Sequence, residues 1–221
     1  MSTDEYPTAW NHRATRRIWA LHMVMNVLGF LGWVALWCGS LAVLVGFLSP
    51  GFSFLFVPLL VYSVYRVVLQ VSYFPPAFRM RRIMRTYPWQ EMQGVPCGLT
   101  KHPDVPGRQY GWFELPNPAR PEQRLPLVFG QHMRTEWWSR RMAPRAKPER
   151  KAQIEVVWFA GDPRFIGLIA APTSNGRAPR RMHVLQQQMG SAGDRPCFTD
   201  WGATPEDIER CRRVGIRPAH P

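Results

Sequence analysis

Between Ile18 and Tyr65 the chain has no Asp, Glu, Lys or Arg. A water-facing helix of that length would need a polar face, so the absence excludes an ordinary soluble segment and leaves two membrane crossings, each taking about 20 apolar residues. The run is broken once, at Ser49-Pro50-Gly51, a combination that turns the chain. That turn also lacks basic residues, whereas Arg13, Arg16 and Arg17 precede the first span and Arg79, Arg81, Arg82 and Arg85 follow the second. Positive charge resists translocation, so both termini are expected in the cytoplasm and the hairpin in the cell (inner) membrane. A cleavable signal peptide is disfavoured by the length of the apolar segment and by the second span directly after it.

Cysteine is scarce and unpaired in pattern. Cys38 lies in the first span, and Cys97, Cys197 and Cys211 are scattered without CxxC spacing, which excludes a disulfide framework and a zinc ribbon and fits a reducing compartment. The sequence has no His-x-x-x-His, no nucleophile elbow and no carboxylates paired at readable spacing. A thiol or metal site would have to be assembled by folding, from Cys97 with His102 or from Cys197 with Asp200, and isolated Cys and His are more often core or surface residues. No catalytic residue, metal ligand or cofactor is therefore expected. Lysine is nearly missing too: of 28 basic residues only Lys101, Lys147 and Lys151 are lysine.

The first span is expected over 23–48 and the second over 52–74, with Pro58 kinking the second. Trp10, Trp19, Tyr73, Phe74 and Trp89 flank the spans at headgroup level, and Gly29, Gly32, Gly39 and Ser40 offer small surfaces on which the helices approach. Arg66 is expected to snorkel toward the cytoplasmic interface.

Only Arg13, Arg16, Arg17 and Arg66, against Asp4 and Glu5, lie ahead of residue 75, so +11 of the net +13 falls beyond the spans. The chain divides into a cytoplasmic segment 1–22, the hairpin 23–74, a basic membrane-proximal stem 75–94, a β-rich cytoplasmic domain 95–190 and a C-terminal loop and helix 191–221. In the stem, Arg79, Arg81, Arg82 and Arg85 are candidate contacts for anionic lipid, although positive-inside retention produces the same run. Short apolar runs bounded by Pro, Gly or Asn then predict strands over 95–100, 110–115, 125–129, 154–160, 165–171 and 182–187. Residues 154–170 read as a hairpin turning at Gly161-Asp162-Pro163-Arg164; a phosphate loop there lacks the second glycine, the lysine and the following helix. The fold class is thus α+β: a transmembrane helical hairpin, then a small antiparallel barrel-like domain, then a short helix that starts at Thr204-Pro205 and stops at Gly215. Segments 177–181 and 218–221 read as flexible.

Residues 134–151 form a basic insertion with Arg134, Arg140, Arg141, Arg145, Lys147, Arg150 and Lys151 against Glu136 and Glu149. Arg140, Arg141 and Arg145 are candidate anion contacts, and Trp137 and Trp138 candidate partner contacts, with a solvated loop whose Trp137 or Trp138 packs inward as the alternative. Pro144 and Pro148 argue against one continuous helix.

Two motifs, Arg85-Thr86-Tyr87-Pro88-Trp89 and Val157-Trp158-Phe159-Ala160-Gly161-Asp162-Pro163-Arg164-Phe165, resemble those of uncharacterised two-span membrane proteins of actinobacteria. The resemblance covers these motifs and the topology; it implies a cytoplasmic β-domain acting as a binding module, no known reaction and no site residues. Three functions follow as expectations: a non-enzymatic membrane scaffold docking a protein partner, an electrostatic binder of anionic lipid or, less so, nucleic acid, and a membrane enzyme with an unrecognised site.

Overall fold

In the computed structural model the described residues are 6–47, 54, 56–99, 102–103, 111–129, 135–173, 175–187 and 198–216. They form two compact units, one helical over Arg17–Phe78, the other combining the chain up to Arg16 with everything from Arg79 onward.

The helical unit holds most of α1 (Arg13–Phe47) and all of α2 (Val57–Ser72). Both candidate spans are long and apolar enough to cross a membrane. Helix α1 begins ten residues before the expected start, because no breaker stands between Arg13 and the apolar run and arginine is a good helix former. Pro58 does not kink α2: it lies in the first turn, where its missing N–H has no carbonyl to reach. The expected turn at Ser49-Pro50-Gly51 lies outside the described residues. The packing is inverted relative to a soluble core. Asn26, Ser40, Ser63 and Gln70 are buried, while Leu21, Leu28, Leu31, Val45, Val61 and Val68 are exposed. Gln70 Nε2 donates to the Asn26 carbonyl at 2.9 Å, and Gly29 makes room for it, since a Cβ there would lie 2.9 Å from that nitrogen. A Cβ on Gly32 or Gly39, by contrast, would meet nothing within 4 Å among the described residues, so neither glycine makes room for α2 there. Arg66 stacks on Trp33, 4.9 Å from the ring centroid, and Trp33 meets Tyr62 edge-on.

The second unit is built on a curled antiparallel half-barrel of seven strands: β1 (Gln90–Gln93), β2 (Cys97–Gly98), β3 (Trp112–Asn117), β4 (Arg120–Phe129), β5 (Val156–Asp162), β6 (Ile166–Pro172) and β7 (Pro179–Gln186), in the order β1-β5-β6-β7-β4-β3-β2. The two outermost strands are neighbours in sequence, joined through Gly94, whose φ is +62°, and Pro96, so one bent segment borders both sides of the sheet. The polar strand β1 and the first half of β4 carry too little apolar alternation to be read from sequence; pairing with β5 and β3 orders them. The predicted hairpin is present with its turn shifted: β5 runs on through Gly161 and Asp162, and the turn is Pro163-Arg164-Phe165. Phe113, Leu115, Leu127, Phe129, Phe159 and Leu185 centre the core.

The expected stem is not a separate element. Helix α3 (Phe74–Thr86) buries Met80, Ile83 and Met84, with Tyr87 just after it; at i, i+3, i+4 and i+7 they line one face. At the far end α6 (Pro205–Val214) has the expected Thr204 cap, reinforced by reciprocal bonds with Asp207, and stops at Gly215 with φ +91°. The last residue of the first resemblance motif meets the second: the Trp89 and Trp158 rings lie 6.0 Å apart, and Gln90 and Glu91, which follow Trp89, pair with Phe159 and Trp158.

Candidate anion-binding surface

The basic insertion folds into two short helices, α4 (Glu136–Met142) and α5 (Pro148–Lys151), divided at Pro144 as the prolines require. Adjacent residues on a helix point about 100° apart, and this separates the two tryptophans. Trp138 is not a partner contact: at 1% exposure it is a core residue, its ring edge-on to Phe113 and its Nε1–H donating to the Arg181 carbonyl at 3.0 Å. Trp137 stays half-buried at the surface.

One turn after Trp137, the Arg141 guanidinium lies over its indole, 3.7 Å from the centroid. Arg141 is held in place by Gln153, whose Oε1 accepts from Nε at 3.0 Å and Nη2 at 2.7 Å, and by the Trp137 carbonyl, which accepts from Nη1 at 2.9 Å. From the sheet, Arg180 of β7 brings a second guanidinium to the same ring at 5.6 Å. Partial burial, followed by the positive charges of Arg180, Arg150, Arg181 and Arg140, pushes the Arg141 guanidinium below its ordinary value. The acidic complement is small: Glu136 pairs with Arg140 one turn away. Arg145 is exposed, and Arg134 lies outside the described residues. Segment 177–181 was expected to be flexible, but Pro179–Gln186 is strand; the apolar run from Met182 extends back through Arg180, which is how β7 adds two arginines to the insertion. Arg181 takes φ +54°, rare for a residue with a side chain.

The stem arginines are engaged within the domain. Arg79 donates to Gln186 Oε1 at 3.4 Å, Arg81 and Arg85 stack on Trp10, and Arg82 lies against Gly215 at the negative end of α6.

The proposed thiol pair is not assembled. Cys97 packs toward the core face shared by Phe113, whereas His102 bonds Glu114 at 2.9 Å and meets the Trp112 ring edge-on; the alternate parity of Trp112 and Glu114 in β3 places them on the other face. Cys197 lies outside the described residues. Burial pushes the Cys97 thiol up and the Cys211 thiol up to about 12, so both stay protonated at neutral pH. Among the described residues no group of three or more His, Cys, Asp or Glu is placed to hold a metal ion. The Gly161-Asp162-Pro163-Arg164 turn points inward: Arg164 is 4% exposed, bonding Asp162 at 2.6 Å, Asp207 at 2.8 Å and the Gly202 carbonyl at 2.8 Å.

Comparison with known proteins returns no match to a protein family, to a curated protein or to a solved structure.

Proposed function

We propose that this chain is a two-span membrane protein with both termini in the cytoplasm, and that its half-barrel is a non-enzymatic module binding the anionic headgroups of the adjoining leaflet. The observation that carries this reading is the meeting of Arg141 of α4 and Arg180 of β7 on the half-buried Trp137 ring, with Arg150, Arg181 and Arg140 near enough to act on the Arg141 charge. Sequence clusters of arginine are often only solvated; here the fold adds cations from a distant strand to the insertion. Each such residue near an anionic surface contributes about 1 kcal/mol. Nucleic acid is disfavoured, because the Trp137 face on which a base would stack carries Arg141 at van der Waals distance.

The test is affinity purification of the detergent-solubilised chain from its native membrane, with lipids, proteins and nucleic acid identified after low-salt and high-salt washes. Anionic lipid retained at low salt and released at high salt supports the reading. Replacing Arg140, Arg141 and Arg180 together with Gln should strongly weaken that retention. A stoichiometric protein that survives high salt, undiminished in the triple variant, would replace lipid binding with scaffold docking.

A further inference from the structure

Arg141 has five N–H groups. Nε, one on Nη2 and one on Nη1 are taken by Gln153 and the Trp137 carbonyl, so among the described residues one remains on each terminal nitrogen. Arg180 is less satisfied still: its Nε is buried with no hydrogen-bond partner among the described residues. Burying a guanidinium N–H without an acceptor is costly, and native proteins rarely leave one so. Glu136, the carboxylate nearest in sequence, is paired with Arg140 instead. Two like charges on one indole, each with unmet donors, define a place for an oxyanion.

We infer that Arg141 and Arg180, held on the Trp137 indole, form a discrete subsite for one phosphoryl group. Its tetrahedral oxygens and charge suit two planar forks better than the two oxygens and single charge of a carboxylate. The inference rests on the lipid-headgroup reading for the source of that group, but the same chemistry would take free phosphate, and the two are separable.

The experiment has two arms on the full chain. In the first, the chain in phosphatidylcholine nanodiscs is titrated with inorganic phosphate and followed by phosphorus NMR at constant ionic strength. Saturable binding of one phosphate per chain is expected, weakened about tenfold or more in Arg180→Gln and in Arg141→Gln, and changed less than about twofold in Arg145→Gln. Arg180→Lys keeps the charge without the fork and should remain weak. Because the Arg180 Nε has no hydrogen-bond partner among the described residues, Arg180→Gln should melt with the wild type; if it does not, Arg141→Gln carries the comparison. Equal weakening by Arg145→Gln, equal displacement by chloride, absence of saturation, or tighter binding of an oligoglutamate peptide would each overturn the subsite.

In the second arm the same nanodiscs are mixed with liposomes containing phosphatidylglycerol and co-flotation is measured. Capture lost in Arg180→Gln supports a headgroup as the source. Phosphate binding without capture would keep the subsite and overturn the lipid reading. Capture undiminished in both Arg180→Gln and Arg141→Gln would keep the lipid reading and overturn the subsite.

Discussion

Arg164 stands in the turn whose composition reads as a simple connection, yet it ties that turn to α6 and to the Gly202 carbonyl. Its Nε and Nη2 bond Asp162, Nη2 also reaches Asp207 of α6, and Nη1 donates to the Gly202 carbonyl, all at a site almost closed to water. Removing one partner of such a group leaves a buried charge uncompensated, so Arg164→Ala is expected to destabilise the domain by about 3–5 kcal/mol, read from denaturant unfolding. Asp207 supplies a pH dependence. Burial alone would raise its pKa, but the Thr204 backbone N–H and hydroxyl, with Arg164, outweigh that and hold it below 3.8. A depressed folded-state value stabilises the fold fully above the unfolded value and loses that contribution as pH falls through the folded one. The melting temperature should therefore fall between about pH 5 and about pH 3, and Asp207→Asn should flatten that slope while lowering the plateau.

The β5–β6 hairpin was legible because apolar β-branched and aromatic runs flank Gly, Asp and Pro, but its turn sits two residues later than composition suggests. The cause is a close backbone approach that no local pattern announces. Gly161 and Gly167 face each other, and a Cβ on Gly167 would lie 2.1 Å from the Phe159 ring. Gly167→Ala should cost about 1–3 kcal/mol by overpacking, measured by thermal unfolding of the purified chain. In the helical hairpin, four small positions looked alike in sequence, and only the angular position of each around α1 decides which one meets α2. Gly29→Leu should lower the detergent-phase melting temperature by forcing Gln70 away, whereas Gly32→Leu should leave it within error. The candidate anion surface was half legible: α4 and its arginines stand out, but Arg180 joins them only through strand pairing, and Trp138 turns into the core because consecutive helical residues diverge.

At the scale of the molecule, the apolar gap predicts a helical part over 23–74 and the helical unit spans Arg17–Phe78, while the assignment of residues before Arg17 to the β-rich unit comes from long-range contacts. Ala9 N donates to the Tyr87 carbonyl at 2.9 Å and Trp89 Nε1 to Thr15 Oγ1 at 3.0 Å, pairings invisible to periodicity. The topology itself makes a prediction: a green fluorescent protein fused after residue 221 should fluoresce in cells, and alkaline phosphatase fused there should stay inactive. The reverse pattern would place the basic domain outside and remove the cytoplasmic leaflet as its partner.

Sheet edges invite another chain to add a strand. Because a single bent segment supplies both β1 and β2, the outer strands of this sheet have only four and two residues, with Gly94 and Pro96 between them. Such short, interrupted edges give a neighbouring copy little backbone to template on. Crowding many copies within one plane should therefore not string them into β-linked aggregates.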